Sequence, residues 1–190
     1  RLHFLDEREL EKFPVEQREK WLTLEKDQGR SVLVVNTPLE STLLAVGPAV
    51  AGDFTVDVVG KPLSQQVCDL SILTDHFDGP GFQFGAYWNT RNLLRTGSMV
   101  KEDRSVEQQL RVLPKTRLPT TGEWYWVRLE VRDGQVSAYV DGQLMGQAPV
   151  ARGYEMGRPR QVMVYAYRSR IELDWVRVQT SRETGEKLAA

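Results

Sequence analysis

The dipeptide Asp133-Gly134 constrains the fold of this chain more than any other local feature. Asp-Gly favours a two-residue type I′ loop, whose twist matches that of the strands it joins. With that loop in place Val131 faces Val136, Leu129 faces Ala138 and Val127 faces Val140. All three pairs are apolar and share one face, and a slip of one residue would turn the whole set toward solvent. A second two-residue loop at Asp141-Gly142 would set Gln143 opposite Val140 and Gln147 opposite Val136. A three-residue loop with a bulge instead pairs Val140 with Leu144, Ala138 with Gly146 and Val136 with Ala148, and restores the apolar face. Residues 124–148 are therefore expected to form a three-stranded antiparallel meander.

The same period of two recurs along the chain. Phe54, Val56 and Val58 alternate with Thr55 and Asp57, and Cys68, Leu70 and Ile72 with Asp69 and Ser71. Phe82, Phe84 and Ala86 alternate with Gln83, Gly85 and Tyr87, and Val162, Val164 and Ala166 with Met163, Tyr165 and Tyr167. Each run reads as a strand with one face on a core, and Gly and Pro fall between the runs. No sustained helical period follows residue 20, and no internal repeat is visible. About a dozen short strands with turn signals between them predict an all-β, antiparallel two-sheet sandwich.

Charge divides the chain unevenly. Residues 1–30 carry 8 acidic and 7 basic side chains, whereas the other 160 residues hold 36 of the 51 charges. Asp6 with Glu9 and the Leu5/Leu10 pair suit the start of a short helix, and Pro14 suits the first turn of another. Residues 1–20 are thus expected to be a charged helical arm or linker, a solvated capping or linking segment rather than a partner-binding helix, because its charges alternate in sign. The sandwich is expected over 21–180 and a tail over 181–190. Lys187-Leu188-Ala189-Ala190 looks like the run that expression vectors place before a purification tag. The chain begins at Arg1 without a basic-then-apolar leader, so the native start is expected to lie elsewhere.

A net charge of -1 and a pI near 6.2 provide no broad positive field for nucleic acid or anionic lipid, so neither nucleic-acid binding nor membrane insertion is expected. One cysteine, Cys68, excludes an intramolecular disulfide framework and a Cys-based zinc cluster.

Three segments carry a family likeness: Asp53-Phe54-Thr55-Val56-Asp57-Val58, the run from Trp124 to Tyr139-Val140-Asp141-Gly142, and Ile171-Glu172-Leu173-Asp174-Trp175-Val176-Arg177-Val178. On them, residues 20–180 resemble the concanavalin A-like lectin and glucanase superfamily, a jelly roll that includes laminin-G-like modules. The stretch from Gly81 to Asn92 also resembles segments of bacterial polysaccharide-processing domains, among them the 3-keto-disaccharide hydrolase type. The likeness implies a jelly-roll sandwich of bacterial type and a carbohydrate partner; the compartment stays open, with an extracytoplasmic one slightly favoured. It does not imply one activity, because the scaffold serves lectins, adhesion modules, glycosidases and lyases. No site residue of the hydrolase type can be matched individually.

Sugar recognition needs aromatic faces together with planar hydrogen-bonding groups on one surface. If Phe82 and Phe84 face the core, Gln83 and Tyr87 face away, as do Tyr165 and Tyr167 relative to Val162, Val164 and Ala166. Asn89, Arg91 and Arg168 fall beside the ends of these strands. These seven residues are the candidate ligand site, unless the aromatics simply fill the second sheet face under a loop or the arm. Trp124 and Trp126, with Arg128 on the non-core face of the hairpin, compete for the role. Arg128 is expected opposite Tyr139, where a cation-π contact suffices to explain it.

Asp75, His76 and Asp78 offer oxygen and imidazole ligands in one turn, so calcium is a possible cofactor there, although Asp-rich turns also form for backbone reasons alone. Glu172 and Asp174 begin the carboxylate alternation of retaining glucanases, but Val176 and Arg177 stand where the last glutamate belongs. The pair is read as a solvated or ion-paired strand face. A carbohydrate-recognising domain is the leading expectation. The rivals are a metal-assisted glycoside hydrolase or lyase using Asp75, His76 and Asp78, and a structural module of a larger protein.

Overall fold

Fourteen strands carry the alternation in a computed structural model that describes residues 2–4, 7–39, 41–64, 70–100, 106–113 and 117–180. They are β1 (Leu2–His3), β2 (Leu22–Asp27), β3 (Arg30–Asn36), β4 (Ser41–Ala45), β5 (Phe54–Pro62), β6 (Leu70–Thr74) and β7 (Pro80–Gly85). There follow β8 (Arg91–Val100), β9 (Val106–Leu113), β10 (Tyr125–Arg132), β11 (Gln135–Val140), β12 (Gln143–Pro149), β13 (Val162–Tyr167) and β14 (Arg170–Thr180). One sheet has the order β12-β11-β10-β5-β14-β3-β2, with β1 added against β14, and the other the order β4-β13-β6-β7-β8-β9. Every pairing described is antiparallel. The expected two-sheet sandwich is the observed one.

The core lies between the sheets, where the inward members of each alternating run meet. Val56, Val58, Val127, Leu129 and Leu173 from the larger sheet, and Leu70, Ile72, Phe82, Phe84 and Val164 from the smaller, are inaccessible to solvent. Each such side chain contributes roughly 1.5–3 kcal/mol of transfer free energy. Phe84 of β7 meets Tyr125 of β10 edge-on, at 5.1 Å between ring centroids, and so ties one sheet to the other. Gly60 in β5 suits this packing, because a Cβ there would lie 3.0 Å from Leu70 Cδ1 and 3.1 Å from Leu173 Cδ2, so that both leucines would have to give by a few tenths of an ångström.

The first hairpin has the register its Asp-Gly loop predicts: Val131 faces Val136, Leu129 faces Ala138 and Val127 faces Val140. In the second, Ala138 faces Gly146 and Val136 faces Ala148 as expected, but Val140 faces Gln143 rather than Leu144. Asp141 and Gly142 form a two-residue turn, both with positive φ. The extra residue is Met145, accommodated where the register shifts between Ala138 and Tyr139. That bulge puts Met145 in the core and leaves Leu144 exposed opposite Tyr139.

Two further expectations are corrected. The strand through Ala86 and Tyr87 ends at Gly85, where the chain enters a turn over Ala86–Asn89. The arm is helical, with a 3₁₀ segment at Glu7–Lys12 and an α-helix, α1, at Val15–Trp21 preceded by Pro14 at the capping position. It is not merely solvated: Phe4 and Phe13 are buried in the main core. Its alternating charges sit around two aromatic anchors, which is why charge alone misjudged it. Leu5, Asp6, Cys68 and the tail over 181–190 lie outside the described residues.

Candidate functional site

On the outer face of the six-stranded sheet, register aligns residues from five strands. Tyr165 lies opposite Leu43 on β4 and Ser71 on β6, Ser71 opposite Gln83 on β7, and Gln83 opposite Leu93 on β8. A large ring and an amide thus flank a serine, the small residue between them. A cleft of about 340 Å³ opens beside them, lined by Gln83, Arg95, Tyr165 and Tyr167 from the strands and by Phe77, Ala86, Tyr87 and Trp88 from two turns.

The polar base of the cleft is held firmly. Gln83 and Arg95 are both buried, and Arg95 Nε donates to Gln83 Oε1 at 3.1 Å. The Arg95 guanidinium also lies 4.8 Å over the Phe77 ring. Phe77 meets Tyr165 edge-on at 5.2 Å, and Tyr165 and Tyr167 lie nearly parallel, 6.4 Å apart with 9° between planes. Their spacing of two along β13 brings both rings to one face. Arg168 lies 5.5 Å over Tyr167, and Arg91 lies 5.2 Å over Tyr87.

The opposite wall is a backbone conformation that L-residues avoid. Tyr87, Trp88 and Asn89 have φ of 51°, 61° and 55°, after Gly85 at 84°. Successive left-handed residues cost on the order of 1–2 kcal/mol each, and such strain persists only where the surroundings enforce it. Here Asn89 Nδ2 donates to Pro119 O at 2.9 Å, Thr90 Oγ1 to Tyr87 O at 2.6 Å, and Asn92 Nδ2 to Arg117 O at 2.6 Å. Asn92 Oδ1 also accepts from Gly85 N at 3.0 Å. The result presents Tyr87 and Trp88 to solvent, at 58% and 53% exposure, the first condition for stacking against a ligand.

Of the seven candidate residues, Gln83, Tyr87, Tyr165 and Tyr167 line the cleft, and Arg91 and Arg168 stack on two of its tyrosines. Asn89 is directed to Pro119 and braces the turn. Tyr87 reaches the cleft through the left-handed turn rather than by strand parity. Sequence reasoning missed Phe77, Trp88 and Arg95. Phe77 lies inside the Asp75–Asp78 turn that drew attention for its carboxylates. Arg95 could be found only from the register of β8 against β7, where it lies opposite Gly81.

The carboxylate candidates are engaged elsewhere. Asp75 pairs with Arg160 at 2.5 Å, and Asp78 Oδ1 accepts from Ser98 Oγ at 3.2 Å. Among the described residues no three His, Cys, Asp or Glu side chains are placed to hold a metal ion, so the Asp75, His76 and Asp78 set does not converge on a calcium site. Glu172 pairs with Lys61 at 2.6 Å, and Lys61 also binds Asp27 at 2.7 Å and lies 5.0 Å over Trp124. Burial alone would lower the Lys61 pKa, but its two carboxylate partners outweigh that and raise it. Asp174 lies at the register shift in β14, with Arg30 at 3.8 Å. Both carboxylates belong to the eight-stranded sheet, on the other side of the sandwich from the cleft.

Trp126 and Arg128 converge on Asp57, whose side chain is fully buried. Trp126 Nε1 donates to it at 2.7 Å, Arg128 Nε at 2.7 Å, and Arg177 Nε and Nη2 at 3.0 and 2.7 Å. Arg128 does pair with Tyr139 in register, but its cation-π partner is Trp126, at 5.0 Å.

No protein-family model matches the chain, and no curated protein matches it in sequence. Solved structures do match. A family 16 glycoside hydrolase of Bacteroides ovatus superposes with a TM-score of 0.62 at 8% identity, over 87% of this chain and 86% of that one. An endo-β-1,4-glucuronan lyase of the fungus Trichoderma reesei gives 0.59 at 11% identity, over 86% and 89%. The carbohydrate-binding module CBM66 of Bacillus subtilis gives 0.51 at 12% identity, over 83% and 91%. With two antiparallel sheets of this order and these superpositions, the fold of the chain is the concanavalin A-like jelly roll.

Proposed function

We propose that this chain is a carbohydrate-recognising domain whose ligand occupies the cleft between the Tyr165/Tyr167 pair and the Tyr87-Trp88 turn. The observation that carries this reading is the meeting of exposed aromatic faces with a fixed amide and guanidinium at one base. Stacked rings accept the C–H face of a pyranose, while Gln83 and Arg95 are of the type that makes directional bonds to hydroxyls. The shared fold with a carbohydrate-binding module and with two enzymes named for glycan substrates supports the class of ligand. Binding is favoured over hydrolysis because the lining residues among those described include no carboxylate, whereas glycoside hydrolysis ordinarily needs two flanking the bond.

The test is a glycan array probed with and without calcium, followed by calorimetry on the best ligand. Tyr87→Ala and Tyr167→Ala are each expected to weaken binding by about tenfold, equivalent to ~1.4 kcal/mol, while unfolding stays cooperative. Unchanged affinity in both variants would refute this cleft and direct attention to Trp124 and Trp126. Turnover of the glycan, or binding lost when calcium is chelated, would overturn the reading of this cleft as a metal-independent binding site.

A further inference from the structure

We infer that the chain associates with a second copy of itself through β9, the two strands pairing antiparallel about Gln109 so that both six-stranded sheets become one. The inference is independent of what the cleft binds. A strand at the end of a sheet offers a row of backbone donors and acceptors, and folded domains ordinarily blunt such an edge. Three of the four edges described here are blunted. At β4 the arm lies alongside, with Gln17 Nε2 donating to Leu43 O at 3.2 Å. β2 ends in the charged run Glu25-Lys26-Asp27, and β12 carries the bulge at Met145 and ends in Pro149. β9 is the last strand of its sheet and has neither proline nor lysine. The register shift in its pairing falls on β8, between Arg95 and Gly97, and leaves β9 itself regular.

The residues of this strand suit a second copy. Leu113 is buried in the core, so Leu110 and Val112 take the outer face by parity, where they are 41% and 60% exposed. The strand reads Val106-Glu107-Gln108-Gln109-Leu110-Arg111-Val112. Paired with itself about Gln109, it sets position 106 opposite Val112, 107 opposite Arg111 and 108 opposite Leu110 of the second copy, each twice by symmetry. A glutamate thus meets an arginine and a valine meets a valine, pairs that favour association across strands. A slip of one residue in either direction would set the glutamate against Val112 or Leu110 instead. Beneath β9 lies β12, the edge of the other sheet, with Leu113 packed against Gly146, so both sheets end together on this side. The two-fold axis stands perpendicular to the joined sheet, and the clefts of both copies open on one surface.

The experiment is sedimentation velocity of the full 21.7 kDa chain over a concentration series. The parent is expected to sediment as a dimer at high concentration and to dissociate on dilution, because one strand from each copy makes a small interface. Glu107→Arg and Arg111→Glu each set like charges opposite one another and are expected to weaken the dimer at least about tenfold. Their combination is expected to restore it. Val112→Lys, which places the usual guard of an edge strand on β9, is expected to give a monomer that still unfolds cooperatively. Gln109→Cys is expected to yield a covalent dimer on mild oxidation, since facing Cα atoms lie roughly 4.5–5.5 Å apart. Gln108→Cys meets its own copy only on the diagonal, about 7–8 Å away, and is expected not to. The parent, with Cys68 alone, is the blank for both. A monomer at every concentration would overturn the inference. A dimer untouched by the charge reversals and by Val112→Lys would overturn the assignment to β9. Dissociation that the combined reversal does not repair, or cross-linking equal at 108 and 109, would overturn the register about Gln109.

Discussion

Replacing Asp57 with Asn tests whether the outer face of the larger sheet is held by charge or by shape. The side chain is isosteric, yet an amide supplies one acceptor where the carboxylate accepted from Trp126, Arg128 and Arg177. Its NH₂ must also face guanidinium donors. Removing one partner from a buried ion pair costs about 3–5 kcal/mol. The two arginine side chains are 29% and 33% exposed and can turn toward water, which lowers the expected loss to ~2–3 kcal/mol. Burial, the largest single influence on Asp57, opposes ionisation, but hydrogen bonds from Arg128, Arg177 and Trp126 together outweigh it and hold the carboxyl below its usual 3.8. A carboxyl depressed in the folded state contributes stability that is complete above the unfolded value and lost as pH falls through the folded one. The difference between parent and Asp57→Asn in urea unfolding should therefore be full at neutral pH and shrink below about pH 4. A gap that stays constant down to about pH 2 would refute the role of the charge. A gap below ~0.5 kcal/mol at neutral pH would mean that water serves the arginines as well as Asp57 does.

Burial pushes the Tyr154 phenol up from 10.0 to about 12, against the pull of Arg160 stacked 4.2 Å over its ring. A group with a raised folded pKa loses its contribution as pH rises from the unfolded toward the folded value, so thermal stability should fall between those two pH values, and less steeply in Tyr154→Phe. Glu172→Gln should leave glycan affinity unchanged in calorimetry while lowering urea stability by about 1 kcal/mol, because Lys61 keeps Asp27 as a partner. Loss of a sugar-directed activity in that variant would make Glu172 catalytic.

The parts of this fold legible in the sequence are those set by period and turn chemistry. Leu129 and Ala138 could be paired because a side-chain period of two leaves one register in which the apolar set is buried. The bulge was misplaced because Leu144 and Met145 are adjacent apolar residues, and nothing local decides which one faces inward. Parity on β13 put Tyr165 and Tyr167 on the cleft side and parity on β7 put Gln83 there, whereas Tyr87 arrives through the turn after Gly85. Arg95 did not follow from parity, since its place depends on which residue of β7 it lies opposite. Asp57 is 71 residues from Arg128 and 120 from Arg177, so their meeting is a property of strand order that no local pattern encodes. The anchoring of the arm by Phe4 and Phe13 was missed for the same reason: the composition of a segment does not state what it packs against.

If the cleft binds as proposed, the left-handed turn at Tyr87, Trp88 and Asn89 places stability and recognition in opposition. Glycine at 87 or 88 would relieve backbone strain at no steric cost, so selection for a durable scaffold alone would drift toward it. It would also erase the ring that the strain displays. Lineages of this domain that abandon their ligand should thus reveal the loss first at these two positions, through substitutions that harden the protein as they blind it.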